Sequence, residues 1–322
     1  MARYEENNVS LNDVNTKLEE DGYCVIPSIV DSEIIENCKI NMWESLSKIS
    51  SIWEVPISFE NKDSYKGIYK LLPLHSMLIQ HYGLGHSQFV WDIRSNEKVA
   101  DVFAKIWECN KGDLIVSMDA VSIHMPPEIT KRGWFRNEWF HTDQRFTINE
   151  KSCIQGLINL YDVNDGDATT KILKGSHKFH NEFYKEFKND IKEPNKDWFK
   201  LNNEEHVKFF TDKCCEKILV KAKAGDLVLW DSRTMHCGAE PLKNRKKENF
   251  RGVVYVCMTK RDRATKKNLE KRVKIFEAKR LTTHSPFSAL MFPKNPRTYG
   301  AELPVISKLD NPILSNFAKS LL

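Results

Sequence analysis

The chain lacks long apolar runs, and this absence is the first constraint on what it can be. No uninterrupted apolar stretch approaches the ~20 residues that a membrane-spanning helix needs. The N-terminal segment "MARYEENNVSLNDVN" also lacks the charged-then-apolar pattern of a signal peptide. These absences predict a protein that works in the cytoplasm and does not contact the membrane.

The sequence also lacks paired cysteines and recognisable linkers. Its 8 cysteines include no C-x-x-C pair, so a zinc site built from thiolates has no support and the thiols are expected to be reduced. No Pro-, Gly- or Ser-rich linker and no internal repeat divides the chain. We therefore expect one domain over residues 1–322.

Two short segments, far apart in the chain, carry the strongest chemical signal. They are His141-Thr142-Asp143 within "NEWFHTDQRFT" and His236 within "GDLVLWDSRTMHCGAEP". Because alternate residues of a strand point the same way, His141 and Asp143 can reach one metal ion. Two imidazoles and one carboxylate are the set that holds non-haem Fe(II) on one face. The structural alternative is a core histidine with Asp143 as a turn or capping residue.

The segments around these residues favour the metal site over that alternative. A strand rich in aromatic residues is predicted over 134–141, and an apolar strand over 226–230 leads towards His236. Arg251 then begins a further apolar strand over 250–258. This order predicts the two ligand strands and the co-substrate strand of a double-stranded β-helix.

The coarse pattern of elements predicts an α+β fold. A helical region covers about 1–112, a barrel core about 113–259, and a C-terminal helix and tail 260–322. Further strands are predicted at 114–123, 153–161, 169–173 and 217–220, and helices at 12–20, 264–279 and in two segments of 75–112. Strands framed by helices in this order argue against alternating βαβ units.

From about Leu11 to Pro286, the chain resembles the phytanoyl-CoA dioxygenase (PhyH-type) family of Fe(II)/2-oxoglutarate-dependent oxygenases. "LEEDGYCVIPSIVDSEII" is similar to the family's opening helix, strand and helix. "IHMPP" is similar to its Lys-Pro-Pro-like segment, and "CIQGLINLYDVNDGDATTKILKGSHKFH" to its two strands, turn and Gly-Ser-His. The resemblance implies Fe(II) as cofactor, 2-oxoglutarate as co-substrate and a jelly-roll barrel. Where some members carry a lysine for 2-oxoglutarate, this chain has Met125.

The same resemblance implies an arginine that binds 2-oxoglutarate shortly after His236. Arg251 stands at the start of an apolar strand, whereas Arg245 lies in the polar run "LKNRKKEN", which we expect to be an exposed loop. Arg251 is therefore the predicted anchor. Gln155, in "IQGLINL", is predicted to contact 2-oxoglutarate or substrate; the alternative is a buried amide bonded to backbone.

Taken together, these features predict an Fe(II)/2-oxoglutarate-dependent dioxygenase with His141, Asp143 and His236 as its catalytic metal ligands. The expected reaction uses O₂ to hydroxylate a C–H bond of a small-molecule substrate and releases succinate and CO₂. Resemblance to the halogenating branch of this chemistry would require a small residue in place of Asp143. The substrate and the oligomeric state stay open. The remaining histidines, including His284, are expected to be structural and not ligands; the alternative for one near the pocket is a contact with substrate.

Two other functions stay open at the level of sequence. One is a catalytically degenerate barrel that acts as a binding module. The other is a nucleic-acid-binding protein, because lysine and arginine greatly outnumber acidic residues between positions 243 and 280. A solvated helix face explains this basic segment better, since its charges fall between the apolar residues of a helical stripe.

Overall fold

The computed structural model describes residues 2–322. The α-helices are α1 Val14–Asp21, α2 Ser32–Ile49, α3 Gln88–Arg94, α4 Glu97–Trp107, α5 Pro127–Thr130, α6 His180–Glu186, α7 Glu204–Asp212, α8 Lys266–Glu277 and α9 Asn316–Ser320. Short 3-10 helices cover Leu11–Asp13, Lys62–Leu71, Leu84–His86, Lys111–Asp113, Ser176–Phe179 and Arg261–Arg263. Among these described residues, no helix combines the length and apolar character needed to cross a membrane.

The strands are short and mostly buried. They are β1 Arg3–Glu5, β2 Tyr23–Ile26, β3 Leu78–Ile79, β4 Leu114–Val116, β5 Val121–His124, β6 His141–Thr142, β7 Ile154–Asn159, β8 Thr169–Leu173, β9 Phe199–Lys200, β10 Lys217–Val220, β11 Leu227–Asp231, β12 His236–Ala239, β13 Arg251–Val256 and β14 Met258–Lys260.

Twelve of these strands form two six-stranded sheets that face each other. One sheet has the order β1-β10-β8-β12-β6-β9 and the other β2-β11-β7-β13-β5-β3. An apolar cluster between them takes Ile172 and Ile218 from the first sheet and Leu157, Val228 and Val253 from the second. The predicted α+β fold with a jelly-roll core is therefore confirmed.

Helix α2 covers the outer face of the second sheet, and its sequence explains why. Its residues at helical spacing, including Ile35, Cys38, Met42 and Leu46, are all buried. They pack with the outward side chains of the central strands, among them Ile158, in the largest apolar cluster. Helix α2 therefore covers the outer face of the second sheet. The inner face of that sheet lines the space between the two sheets.

Two sequence predictions about local structure are wrong. The stretch 75–83 is not helical, because His75, Ser76 and Tyr82 adopt positive φ angles that an α-helix does not allow. The strand predicted over 134–141 is paired in a sheet only from His141, since β6 contains just two residues. The residues before His141 form no pairing with another strand, and their aromatic side chains pack against other segments.

Candidate metal centre

The fold brings the three predicted ligands together from two neighbouring strands. Strands β6 and β12 are antiparallel, and their register places His141 directly opposite His236. Asp143 follows β6 and is held by a hydrogen bond from its backbone N–H to the carbonyl of Ser232 at 3.0 Å. Thr142 points elsewhere and donates to the same carbonyl through Oγ1. The alternation inferred from the H-x-D spacing is therefore present.

The ligand atoms of the three side chains converge to within 4.8 Å of one another. Asp143 Oδ1 lies 3.6 Å from His141 Nε2, and its Oδ2 lies 3.4 Å from His236 Nε2. Among the described residues this is the one group of three or more histidine, cysteine or acidic side chains with such geometry. A single divalent ion with bonds near 2 Å fits between such atoms.

Each of the two imidazole rings is oriented by a contact between its Nδ1 atom and a backbone carbonyl. The Nδ1 atom of His236 lies 2.9 Å from the carbonyl of Thr234, and that of His141 lies 3.4 Å from the carbonyl of Trp139. A carbonyl can only accept, so each Nδ1 carries the proton and each Nε2 keeps its lone pair for a metal. Burial, together with the neighbouring His236, lowers the pKa of His141 and favours the neutral form that binds metal.

The carboxylate of Asp143 is held in its charged form by its neighbours. Burial alone would raise its pKa, but the nearby His141, His284 and His236 outweigh that effect and hold the pKa well below its usual range. Gln155, on β7, donates its side-chain Nε2 to Asp143 Oδ2 at 3.0 Å. The structure thus places Gln155 against a candidate ligand, and its contact with 2-oxoglutarate stays a prediction.

Arg251 is buried between the sheets, as expected for a strand residue that points inward. It is 4% exposed, and its guanidinium makes only long contacts, to the carbonyl of Ala168 at 3.2 Å and to Thr170 Oγ1 at 3.4 Å. Its Nε atom has no partner. A buried cation without an acidic partner is costly, so this position is prepared for an anion.

The strand beside Arg251 offers further polar atoms that lack partners. β5 pairs with β13 so that His124 lies opposite Arg251 and Ser122 opposite Val253. Ser122 Oγ and His124 Nδ1 are buried without a hydrogen bond. Burial lowers the pKa of His124 to about 3, which keeps its ring neutral. Ser122 Oγ can donate to the carboxylate of a bound 2-oxoglutarate. His124 cannot, because its Nε2–H donates to the carbonyl of Gly133 at 2.9 Å and leaves Nδ1 with only a lone pair.

The side chain of Arg245 has surroundings that the sequence did not predict. Arg245 lies in the predicted exposed loop between two strands. Its own side chain is nevertheless 1% exposed and pairs with Glu128 at 2.6 Å and Asp167 at 3.0 Å. Both partners come from distant parts of the chain, so the local sequence could not reveal them. Met125 is fully buried in the large apolar cluster.

A cavity of about 570 Å³ adjoins the three ligands. Its wall includes several residues that sequence reasoning missed: Asp119, Trp198, His284 and Phe292. His284 Nδ1 lies 3.8 Å from Asp143 Oδ2, and its Nε2 is buried without a partner. The segment containing His284 is placed by a backbone bond from Thr282 to Met118, a long-range contact that no local motif signals.

Comparison with known proteins agrees with this geometry. Residues 18–246 match the family model of phytanoyl-CoA dioxygenase (PhyH). This chain belongs to the phytanoyl-CoA dioxygenase family. The matched span contains the three candidate ligands and ends before Arg251. The resemblance seen in the sequence is therefore confirmed, and so is the prediction of an oxygenase-type enzyme at the level of the family.

Relatives of known sequence or structure extend the comparison. The chain is 32% identical over 238 residues to the Ava biosynthesis cluster protein O of Aspergillus versicolor, covering 71% of this chain and 73% of that protein. It also superimposes on the structure of a Salmonella typhimurium LT2 protein named as an oxidoreductase, with a TM-score of 0.59 and 14% identity. That match covers 88% of this chain and 79% of the other, and it supports the fold.

Family membership and the ligand cluster together confirm the cofactor prediction of iron with 2-oxoglutarate as co-substrate. The chemical nature of the three candidate ligands indicates which metal they suit. The set contains no thiolate, which disfavours a structural zinc site, and its two imidazoles and one carboxylate suit Fe(II) with open positions for small ligands. The cavity beside the cluster provides the space that such open positions require.

Proposed function

We propose that this protein is an Fe(II)/2-oxoglutarate-dependent dioxygenase that hydroxylates a C–H bond of a small molecule. One observation carries the proposal: His141, Asp143 and His236 converge at the edge of a cavity, with both imidazoles oriented to present Nε2. A degenerate binding module would have no need to keep all three groups in this arrangement.

When bound, iron and 2-oxoglutarate supply the oxidative chemistry, in which O₂ is consumed and 2-oxoglutarate leaves as succinate and CO₂. The chain's own residues hold and orient these groups. His141, Asp143 and His236 hold the metal, and Gln155 orients the Asp143 carboxylate through its hydrogen bond. Arg251 binds the far carboxylate of 2-oxoglutarate, because arginine can offer two parallel N–H donors to a carboxylate.

The identity of Asp143 decides between hydroxylation and transfer of a halide. Its carboxylate would hold the metal together with the two imidazoles, so no position among the protein ligands would be left open to chloride. The surrounding wall then excludes water from the reacting atoms, because the three ligand side chains are at most 14% exposed. These features favour hydroxylation as the outcome.

The nucleic-acid alternative has less support in the structure than in the sequence. Arg245, Arg251 and Arg272 account for part of the basic segment 243–280, and all three side chains are buried. Arg272 donates to the carbonyls of Val116, Pro286 and Leu321. Charge that is used inside the fold is not available to a polyanion.

The test is anaerobic Fe(II) binding together with succinate release from 2-oxoglutarate across a panel of small molecules. The wild-type protein is expected to bind one Fe(II) and to release succinate. His141→Ala, Asp143→Ala and His236→Ala should each lose most of both, whereas His177→Ala, a buried histidine outside the cluster, should keep both. Full turnover by His236→Ala would show that the distal ligand is wrongly assigned.

A further inference from the structure

Asp119 lines the cavity beside the three candidate ligands, and its carboxylate has no ionic partner. The residue lies two positions before β5. Among residues 2–322, the carboxylate accepts one hydrogen bond, from the backbone N–H of the adjacent Ala120 to Oδ1 at 2.6 Å. Burial raises the pKa of Asp119 to about 6, because a carboxylate that has lost water and gained few partners is poorly stabilised in its charged form.

The basic residues close to Asp119 are engaged elsewhere. Arg94 is fully buried and donates to the backbone carbonyl of Asp119 at 2.6 Å, and its other two nitrogens donate to two further backbone carbonyls. His284 Nδ1 lies 3.8 Å from Asp143 Oδ2, and its Nε2 is buried without a partner. Burial therefore outweighs the lowering effect that the charges of Arg94 and His284 have on the pKa of Asp119.

The other charged side chains of the cavity do not neutralise Asp119 either. Arg145 is bound to Asp197 through two hydrogen bonds of 2.7 and 2.8 Å. Lys196 also lines the cavity, but its side chain is 63% exposed. Water solvates such an exposed ammonium group and screens its charge from groups deeper in the cavity.

Bound iron and 2-oxoglutarate would not supply the missing positive charge. In the proposed enzyme, Fe(II) and Arg251 together carry as much positive charge as 2-oxoglutarate and Asp143 carry negative charge. The charge of Asp119 therefore stays uncompensated in the loaded site, and an ionised carboxylate without water or a partner is costly. A ligand that pairs with this carboxylate removes the cost.

We infer that the substrate carries a protonated nitrogen, such as an ammonium group, that pairs with the carboxylate of Asp119. This inference rests on the proposed function, because it assigns the substrate class of the same site. A charged N–H donor offers both the positive charge and the hydrogen bond that this carboxylate lacks. The backbone carbonyl of Asp119 is held by Arg94, so the carboxylate is presented to the substrate from a fixed position. A cavity of about 570 Å³ has room for such a molecule beside the metal centre.

The first experiment compares three probes that share a phenyl ring and a two-carbon chain and differ in the group at the end. Phenethylamine is cationic, phenethyl alcohol is neutral and phenylpropionate is anionic. Their affinities are measured by titration calorimetry under argon, with the full-length protein loaded with Fe(II) and 2-oxoglutarate and again without either. We expect the amine to bind at least about tenfold more tightly than the alcohol, a ratio that corresponds to about 1.4 kcal/mol. The anion should bind no better than the alcohol.

Variants test whether Asp119 carries this preference. Asp119→Asn keeps the size of the side chain and the oxygen that accepts from Ala120 but removes the charge, so it should bind the amine and the alcohol with similar affinity. Asp92→Asn is the matched control and should keep the wild-type preference. Asp92 is also partly buried with a pKa raised by burial, and it does not line this cavity.

Thermal unfolding gives a second, independent readout. In the ligand-free protein at neutral pH, Asp119→Asn should raise the midpoint of unfolding. The wild-type carboxylate is charged above its raised pKa, and an acid whose pKa is higher in the folded than in the unfolded state destabilises the fold there. An Asp119 that serves a structural ion pair would give the opposite shift.

Several outcomes would overturn the inference. They are an amine that binds no more tightly than the alcohol, a preference for the amine that persists in Asp119→Asn, and a lowered unfolding midpoint in that variant. Failure of the proposed function looks different. A protein that holds no iron and releases no succinate, yet binds the amine through Asp119, would refute the dioxygenase and keep the cation-binding site. Iron binding and succinate release without a preference that depends on Asp119 would refute only the substrate class.

Discussion

Gln155 donates its side-chain amide to the Oδ2 atom of Asp143 across 3.0 Å, so a residue on one sheet orients a candidate ligand that follows a strand of the other. This hydrogen bond fixes the orientation of the Asp143 carboxylate. The same Oδ2 atom lies 3.4 Å from Nε2 of His236. Orientation of a ligand by such a neighbour typically decides between tight and weak metal binding.

Replacing Gln155 should therefore weaken metal binding without removing a ligand. We expect Gln155→Leu to lower Fe(II) affinity by about tenfold or more, and Gln155→Asn to act in the same direction because its amide is one methylene farther from Asp143. Competition with a chromophoric chelator under argon measures this affinity. An unchanged affinity in both variants would mean that Asp143 does not depend on this hydrogen bond.

Arg251→Ala should raise the 2-oxoglutarate concentration needed for half-maximal succinate release while Fe(II) still binds. Loss of one partner of a buried charge-assisted pair costs about 2–5 kcal/mol, so the requirement should rise by well over tenfold. Arg251→Lys should retain part of the affinity, because it keeps the charge but not the fork. A normal 2-oxoglutarate dependence in Arg251→Ala would place the anchor elsewhere.

Arg245→Ala should affect stability and not the co-substrate. Its removal leaves Glu128 and the buried Asp167 without their cation, and breaking a buried ion pair in this way costs about 3–5 kcal/mol. Chemical denaturation measures the loss, and the 2-oxoglutarate dependence of the folded variant should match that of wild type. A large shift in that dependence with unchanged stability would contradict the assignment of Arg245 to a structural ion pair.

Asp143→Gly should abolish hydroxylation, because it removes the carboxylate from the metal centre. The variant also opens a position in which chloride can replace the lost ligand, so Fe(II) binding measured with and without chloride should differ, whereas wild type should show no such dependence. Hydroxylation at a near wild-type rate would exclude Asp143 as a ligand.

His86 should make the protein sensitive to acid. It is buried, hydrogen-bonded to the carbonyl of Arg280 and stacked near Trp91, and burial lowers its pKa to about 4. An unfolded histidine has a pKa near 6.5. The stabilisation from its neutral ring is therefore complete above about pH 6.5 and is lost as pH falls towards 4, by about 1.4 kcal/mol per pH unit.

Denaturation at pH 7.5, 6 and 5 tests this dependence. His86→Gln should be less stable at pH 7.5 but should lose less stability on acidification than wild type. His81→Gln is a suitable control, because His81 is only half-buried and should change the pH dependence less. Identical pH profiles for wild type and His86→Gln would show that other groups dominate acid unfolding.

The sequence predicted the residues whose roles follow from local spacing. His141 and Asp143 follow the two-residue alternation of a strand, and Arg251 begins a strand whose alternate residues face inward, so the pattern alone predicted the direction in which these three side chains point. His236 could be proposed as the third ligand because an apolar strand precedes it. The sequence did not show which strand would pair with the one that contains His236. Assignment of all three ligands to a metal is still a proposal that the binding measurements above must test.

The rest of the site depends on contacts that no local pattern encodes. Arg245 is surrounded by polar residues in the chain, yet Glu128 and Asp167 approach it from elsewhere in the fold. His284 lies in a turn-rich segment that reaches the cavity only because Thr282 bonds to Met118. The aromatic run before His141 resembled a strand, but Trp139 stacks on His75 instead. Each error arose where a tertiary contact outweighed a local preference.

The cavity is lined both by the span that the family model matches and by a segment beyond that span. The ligands lie within the span shared with the family, residues 18–246, whereas His284, Leu290 and Phe292 belong to a segment beyond it. Mutations of Leu290 or Phe292 can change the shape of the cavity without replacing any of the three candidate ligands. The choice of substrate can therefore be altered through the C-terminal segment while the residues that would hold the iron stay the same.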